Sequence, residues 1–321
     1  MKIIFIDFAY NIHAKRFFEF FHKVSYCEMF FLKELSHSEI SKIQGRIDEF
    51  DILIYADFFR LNGIGLESNV KKICISWTSD IVNAEIKDNS LPPDLFDLLI
   101  IDSDFAENLW LRAGLGKSKI YKIPYGIDIN RIRPSYSDNR IEIISTRNWE
   151  KSYNQETILK AVSLIKDENF FETVNFAGDG TTLSTLRKDF HHLEVEKKIY
   201  YLGKLNNSNI LDILPRYRLY ISASSTDGVS VSMLEAMASG TPVLVANIES
   251  NREWINHGEN GFLFETFSPD DLATKISEIL ENKYNLSAIS RFGYRTVVQL
   301  ADWDLNTQGL FVTLNSILSK D

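Results

Sequence analysis

Short hydrophobic runs alternate with longer segments of helical spacing along the first part of the chain. The runs are KIIFID, DILIYA, KKICIS, DLLIID and KIYKIPYG, and each is apolar nearly throughout, without a regular alternation of polar positions. Strands that are buried on both faces have this composition, and such strands belong to parallel sheets covered by helices. The pattern therefore predicts an α/β unit built on a parallel sheet.

The same alternation starts again after a polar crossover that contains proline, PYGIDINRIRPSYSDNR, with the runs IEIIST, VNFAGDG, IYYLGK, LYISAS and TPVLVA. A chain of 321 residues is longer than one compact core usually serves, so we expect two Rossmann-like domains facing across a cleft. We place them at residues 1–126 and 127–302, and we expect a tail helix at about 303–321 to cross back onto the first domain. Ligands of such sheets bind at the carboxyl ends of the strands.

The charge balance excludes one class of partner. The chain has 35 basic and 44 acidic residues, which gives a net charge of −9 and argues against binding to nucleic acid. An anionic ligand must then be held by local groups, such as a helix N-terminus, backbone amides or one or two cations.

The two cysteines and the N-terminus bear on the location of the protein. Cys27 and Cys74 lie in apolar runs without metal-ligand spacing, so we expect buried free thiols in a reducing compartment. The first residues, MKIIFIDFAYN, are typical of a strand and not of a signal peptide. We expect a cytoplasmic protein; membrane association has no support from a polybasic surface, and a peripheral position at the inner membrane face stays open.

The stretch STDGVSVSMLEAMASGTPV, which contains two acids, has the pattern of a turn followed by a helix. A helix that starts near Ser230 would present unpaired backbone amides and its positive dipole end to a diphosphate, and Gly228 would allow a close approach. Asp227 precedes the helix and Glu235 lies more than one turn inside it, so the two acids can contact one ligand. The alternative is that Asp227 caps the helix and Glu235 is a solvated helix residue.

A longer segment around these acids, STDGVSVSMLEAMASGTPVLVANIESNREWINHGENGFLF, resembles the acid-x7-acid signature block of the glycosyltransferases of family 4. Members of that family are retaining enzymes with the GT-B fold. Upstream, KIYKIPYGID resembles the interdomain segment of the family, and ISTRNWEKSYNQETILKA resembles its first strand of the second domain with a donor-binding arginine. The resemblance covers most of residues 119–265, whereas the first domain matches in strand order only.

The resemblance implies a role for each residue of a donor site. Glu235 would hold the ribose hydroxyls of a nucleotide sugar, and Asp227 would contact the sugar. Arg147 would pair with the diphosphate, with Lys151 as a second candidate, and the alternative for Arg147 is a surface salt bridge. The other positions act through their backbone, four near the sugar phosphates and two near the base: Gly228, Val229, Ser230, Val231, Lys204 and Leu205.

Two positions depart from the family pattern. The first acid of the signature is usually Glu, and Asp227 is one methylene shorter, which implies a shifted sugar pose. The lysine that follows the arginine by five positions in many relatives is replaced by Ser152, with Lys151 one step early. Arg147 could therefore bind the diphosphate alone.

The acceptor side gives weaker signals. His13 and Arg16 follow the first strand, and Asp80 follows another strand in SWTSDIV, so each could contact an acceptor. Helix capping is the alternative for Asp80, and a structural or solvated role is the alternative for His13.

These observations predict a glycosyltransferase that moves a hexosyl unit from a nucleoside-diphosphate sugar to an acceptor hydroxyl with retention. The acceptor would be carbohydrate, lipid-linked or protein-linked, as in a surface polysaccharide, a glycolipid or a glycoprotein glycan. We expect no cofactor and no metal. Same-face attack is the preferred mechanism, and a covalent intermediate on Asp227 is the alternative. The rival functions are a catalytically silent GT-B protein that binds nucleotide or serves assembly, and a nucleotide-sugar epimerase.

Overall fold

The structure is a computed structural model, and it describes a large part of the chain in two compact units. The described residues are 1–8, 12–56, 70–76, 81, 96–137, 143–165 and 173–318, with the side chains of 12 and 13 left out. Unit 1 comprises Met1–Tyr125 with Asp304–Asp321, and unit 2 comprises Gly126–Trp303.

Unit 1 contains a parallel sheet of six strands in the order β2-β1-β3-β4-β5-β6. Its strands are β1 (Lys2–Asp7), β2 (Tyr26–Phe31), β3 (Ile52–Ala56), β4 (Lys71–Ser76), β5 (Leu98–Ile101) and β6 (Ile120–Lys122). The first helices of its described part are α1 (Ile12–Val24), α2 (His37–Gln44) and α3 (Asp104–Arg112). All five residues of β3 are buried, as expected for a strand covered on both faces.

Unit 2 contains a second parallel sheet of six strands, in the order β12-β11-β10-β7-β8-β9. Its strands are β7 (Ile143–Ser145), β8 (Val174–Ala177), β9 (Ile199–Gly203), β10 (Leu219–Ser222), β11 (Val243–Ala246) and β12 (Phe262–Phe264). Its described helices are α4 (Gln155–Leu164), α5 (Leu183–Asp189), α6 (His191–Val195), α7 (Asn207–Ile213), α8 (Val231–Ala238), α9 (Glu249–Arg252), α10 (Pro269–Leu280) and α11 (Leu286–Leu300). The last helix of the chain is α12 (Trp303–Leu318).

Each unit has its own hydrophobic core. The core of unit 1 includes Phe96 and Trp110, whose rings meet edge to face at 5.9 Å. The core of unit 2 includes Trp149 and Phe176, with ring centroids 5.1 Å apart. The apolar strand runs supply most of the remaining core, so the prediction of two parallel-sheet, Rossmann-like α/β units is confirmed.

The cysteines are buried free thiols, as predicted. Cys27 lies in β2 and Cys74 in β4. Burial raises the pKa of the Cys27 thiol to about 12, so this group stays protonated at neutral pH. In the part of the chain that the structure describes, no helix combines the length and the apolar composition that crossing a membrane requires.

Candidate functional site

The candidate site is built on the loop and helix that follow β10. The strand ends at Ser222 and α8 begins at Val231, with Ser230 as its N-cap residue in an extended backbone conformation. The alternative of Asp227 as the cap is therefore wrong. The N-cap side chain forms no capping hydrogen bond, so the amides of the first turn of α8 are not capped by Ser230.

Arg147 joins this loop from the neighbouring strand. Its Nη2 donates to Asp227 Oδ2 at 2.7 Å, and its Nη1 donates to Ser232 Oγ at 3.0 Å and to Ser230 Oγ at 3.3 Å. The guanidinium lies over the ring of Tyr153, 4.0 Å from the centroid. One arginine is thus fixed between an acid, two hydroxyls and an aromatic face at the start of α8.

The Arg147–Asp227 pair is largely removed from water. The side chains expose 11% and 18% of their area. Burial is the largest influence and opposes the charged form of Arg147, but the electrostatic interactions with Asp227, Tyr220 and Tyr153 together outweigh it, and the pKa of Arg147 lies above its usual range. Burial also raises the pKa of Asp227, against the opposing charge of Arg147 and hydrogen bonds from the Gly228 N–H and the Ser230 hydroxyl. The arginine therefore carries its full charge in a shielded position.

Serine side chains hold the site together, and sequence reasoning missed their role. Ser232 accepts from Arg147 and also from the Tyr220 hydroxyl at 2.8 Å. The backbone N–H of Ser225 donates to the Ser152 carbonyl at 2.8 Å, which ties the loop carrying Asp227 to the turn after Arg147. The position of Ser232 in the first turn of a helix that is predicted to start at a ligand site was the available signal.

Glu235 is buried on α8. Its exposed fraction is 9%, so the alternative of a solvated helix residue is wrong. The side-chain amide of Asn207, the first residue of α7, donates to Glu235 Oε1 at 2.7 Å. Sequence reasoning did not find Asn207, because no pattern links residues on two different helices.

The remaining predicted positions of unit 2 lie on loops. Lys151 begins a short 3-10 turn, Lys151–Tyr153, and its side chain is exposed and makes none of the described contacts of Arg147. Lys204 and Leu205 directly follow β9, the first exposed and the second half-buried. Gly228 and Val229 lie in the loop before α8, where Val229 is buried.

The predicted acceptor-side residues belong to unit 1. Arg16 lies on α1, half-buried, with its guanidinium 5.0 Å from the ring centroid of Tyr125. His13 lies in the first turn of the same helix, and its side chain is outside the described part of the structure. Asp80 also lies outside the described residues.

The carboxylates of the site do not form a metal-binding group. Across residues 1–8, 12–56, 70–76, 81, 96–137, 143–165 and 173–318, no cluster of three or more His, Cys, Asp and Glu side chains is placed to hold a metal ion. Arg147, the Gly228 N–H and the Ser230 hydroxyl instead surround Asp227 with hydrogen-bond donors. Such an arrangement can bind and orient anionic and hydroxyl groups of a ligand.

Comparison with known proteins identifies the family to which this site belongs. The family model described as "Glycosyl transferases group 1" matches residues 128–296, which is more than half of the chain. A relative from Bacillus anthracis, N-acetyl-alpha-D-glucosaminyl L-malate synthase, is 24% identical over 158 residues, covering 49% of this chain and 41% of the relative. The chain spans about half the length of the curated relatives it matches, with covered shares of 41%, 52% and 59%.

Solved structures show the same fold over the whole chain. Anabaena Alr3699/HepE in complex with UDP has a TM-score of 0.77 at 19% identity, and the match covers 98% of this chain and 100% of that one. The same protein in complex with UDP-glucose gives a TM-score of 0.78 at 18% identity with the same coverage. The GT-B fold, with its two Rossmann-like domains, is thereby confirmed.

Proposed function

The chain belongs to the glycosyl transferases group 1 family, and on this premise we propose that it transfers a hexosyl unit from a nucleoside-diphosphate sugar to an acceptor hydroxyl. The proposal includes membership of family 4, which the acid-x7-acid spacing of Asp227 and Glu235 supports, and retention at the anomeric carbon, which the resemblance to that family implies. A structural neighbour, Anabaena Alr3699/HepE in complex with UDP-glucose, supports a nucleotide-sugar donor.

The observation that carries the proposal is the position of Arg147 at the N-terminus of α8. Its guanidinium has a carboxylate oxygen as a partner at 2.7 Å, and a phosphate oxygen presents the same kind of acceptor. The Nε of Arg147 is buried and has no hydrogen-bond partner in the described structure, so it is one further donor for a ligand oxygen. In the proposed complex the diphosphate replaces Asp227 as the hydrogen-bond partner of Arg147.

This exchange gives Asp227 its own task. A carboxylate released from Arg147 can accept hydrogen bonds from the hydroxyls of the donor sugar. The backbone of Gly228 to Val231 would then meet the phosphates, where α8 contributes the positive end of its dipole. We assign the ribose hydroxyls to Glu235 and the base to the backbone at Lys204 and Leu205. Lys151 is exposed, and its proposed role is limited to the outer phosphate.

The chemistry follows from where charge develops. Negative charge accumulates on the departing diphosphate as the glycosidic bond breaks, and Arg147 with the amides of α8 stabilises it without a metal ion. In same-face attack, the leaving phosphate takes the proton of the acceptor hydroxyl while the new glycosidic bond forms. A covalent intermediate on Asp227 is the alternative, and trapping a glycosylated peptide that contains Asp227 would establish it.

The acceptor is a hydroxyl of a carbohydrate, of a lipid-linked sugar or of a glycoprotein glycan. Retaining transfer needs the acceptor on the same face as the leaving group. His13, Arg16 and Asp80 are the proposed contacts. No further cofactor is part of the proposal.

A binding screen followed by kinetics tests the proposal. Thermal shifts with UDP, GDP, ADP and TDP identify the nucleotide, because a ligand that binds only the folded state raises its stability. Slow hydrolysis of the matching sugar donor should then fall strongly in Arg147→Ala and Glu235→Ala. Binding without any hydrolysis or transfer indicates a silent GT-B protein, and a changed sugar nucleotide as product indicates an epimerase.

A further inference from the structure

A hydrogen bond between two helices controls the orientation of Glu235. Asn207 Nδ2 donates to Glu235 Oε1 at 2.7 Å, between residues that are 28 positions apart. Glu235 exposes only 9% of its surface, whereas Asn207 is exposed at the start of α7. The carboxylate of a buried acid is therefore held by a donor that a ligand in solution can also reach.

The chemistry of this donor differs from that of a cation. A lysine or arginine would neutralise Glu235 and compete with weaker hydroxyl donors for its oxygens. A neutral amide fixes one oxygen of the carboxylate and leaves the negative charge in place. An ionised carboxylate has about four acceptor positions, and the hydrogen bond from Asn207 uses one of them.

The backbone around Asn207 is built to hold this side chain in place. Asn206 is the N-cap residue of α7, and its side chain accepts from the Asn209 N–H at 2.8 Å. Asn207 is therefore the first residue inside a capped helix, with helical backbone angles. Its side chain needs only two fixed torsions to reach Glu235.

We infer that Asn207 is a positioning residue that orients Glu235 toward a vicinal diol, and that the two residues select ribonucleoside over 2′-deoxyribonucleoside diphosphates. The inference rests on the proposed function, since it takes the ribose of the donor as the ligand of Glu235. A carboxylate held in one plane can accept both the 2′- and the 3′-hydroxyl of a ribose. Loss of the 2′-hydroxyl leaves a buried carboxylate oxygen without its partner.

The test compares UDP with 2′-deoxy-UDP by isothermal titration calorimetry, or the corresponding pair for whichever base the chain binds. In the wild-type protein the deoxy compound should bind about tenfold more weakly, the effect of one lost hydrogen bond to a charged group. In Asn207→Ala the affinity for UDP should fall about tenfold and the ratio between the two ligands should approach one, because Glu235 is no longer fixed.

Three further variants separate positioning from structure. Asn207→Asp keeps the shape of the side chain but has no N–H to donate. The ratio between the affinities for UDP and 2′-deoxy-UDP should therefore approach one, as in Asn207→Ala. Asn207→Gln keeps the amide and should retain part of the preference for UDP over 2′-deoxy-UDP. Asn209→Ala removes an exposed asparagine from the same helix and should leave both affinities unchanged.

The outcomes are distinct. Equal weakening of both ligands in Asn207→Ala and Asn207→Asp, with an unchanged ratio, shows a merely structural residue and overturns the inference while the proposed function stands. Equal affinity of the wild-type protein for UDP and 2′-deoxy-UDP overturns the claimed selectivity in the same way. If none of UDP, GDP, ADP and TDP binds, the proposed function fails and the inference fails with it.

Discussion

Arg147 and Asp227, which lie 80 positions apart in the chain, form an ion pair with 2.7 Å between Nη2 and Oδ2. The pair follows from the sheet topology, because each residue lies beyond the carboxyl end of a strand and these strands, β7 and β10, are direct parallel neighbours. Removing one partner of a buried ion pair leaves the other charge uncompensated. Substitutions of Arg147 and of Asp227 should therefore both lower the stability. Substitution of Arg147 should weaken ligand binding, whereas substitution of Asp227 should strengthen it.

The guanidinium of Arg147 should matter for its shape as well as for its charge. In Arg147→Lys the charge remains, but one ammonium group cannot bond Asp227, Ser230 and Ser232 with the same geometry. We expect the affinity for the nucleoside diphosphate to fall by about ten- to a hundredfold, the effect of one lost charge-assisted hydrogen bond. Isothermal titration calorimetry measures this change directly.

Arg187→Lys is the matched control for that substitution. Arg187 donates to both carboxylate oxygens of Glu194 and lies over the ring of Tyr201, 4.7 Å from its centroid, so it has the same kinds of contact in the same unit. Its replacement should leave nucleotide affinity unchanged. Equal effects of the two substitutions on binding would contradict the assignment of Arg147 to the diphosphate.

Asp227→Asn should tighten nucleotide binding and abolish transfer. The amide has the shape of the carboxylate but no charge, so it competes less well for Arg147 and repels no phosphate. We expect the affinity for the nucleoside diphosphate to rise about tenfold, while the rate of donor hydrolysis falls at least about a hundredfold. Stability should fall by about 3 kcal/mol, since Arg147 loses its buried counter-charge.

The measurement for Asp227→Asn combines calorimetry, donor hydrolysis and urea unfolding. Asp270→Asn, an exposed acid in the first turn of α10, is the control for a change of one charge in unit 2. Weaker nucleotide binding in Asp227→Asn would show that the carboxylate itself contacts the nucleotide, and would rule out the exchange of partners on Arg147.

The hydrophobic pattern was sufficient to predict most of the fold. Ten runs of the sequence became strands of two parallel sheets, because a strand covered by helices on both faces must be apolar along its whole length. Two strands of the sheets, β2 (Tyr26–Phe31) and β12 (Phe262–Phe264), are not among these runs.

The site was predictable only in part. The loop from Asp227 to Ser230 carries local signals of a turn and a helix start, the spacing of the two acids indicated Glu235, and the family resemblance added Arg147. Asn207 contacts Glu235 from another helix at 2.7 Å, and the ring centroid of Tyr153, on the turn after Arg147, lies 4.0 Å from that guanidinium. Such contacts depend on how helices and turns are rotated against one another, and no spacing along a single sequence encodes that rotation.

Two glycines with the same backbone conformation provide a test of packing around α8. Gly240 has φ +74° and follows the helix, and Gly203 has φ +73° at the end of β9. A Cβ at Gly240 would lie 2.5 Å from the carbonyl oxygen of Ser135, whereas a Cβ at Gly203 would meet nothing within 4 Å. The substitution to alanine thus adds backbone strain at both sites and a collision at one.

Gly203→Ala should lower the free energy of unfolding by about 1 kcal/mol, the cost of a left-handed backbone for a residue with a Cβ. Gly240→Ala should lower it by roughly 3 kcal/mol, because the segment at Ser135 must also move. Urea unfolding of both variants measures the difference. Equal losses would show that the segment at Ser135 gives way without cost.

A hydrogen-bonded acid in unit 1 makes stability depend on pH. Arg46 donates from both of its terminal nitrogens to Glu28, at 3.2 and 3.0 Å, and the Tyr26 hydroxyl donates to Glu28 Oε1 at 2.7 Å. The hydrogen bonds from Arg46 and from Tyr26 hold the pKa of Glu28 below its ordinary value of 4.5. Folding therefore favours the ionised form of this carboxyl group.

Since the folded pKa of Glu28 lies below the unfolded one, its contribution is present above pH 4.5 and is lost as the pH falls through the folded pKa. Glu28→Gln should therefore lower the free energy of unfolding by roughly 0.5 kcal/mol at pH 7 and by less at pH 3. Urea unfolding at both pH values measures this. Glu49→Gln, which loses only a single contact with Arg46 at 3.4 Å, is the control and should show a smaller difference. An equal loss at pH 3 and pH 7 in Glu28→Gln would mean that shape and not charge makes this residue stabilising.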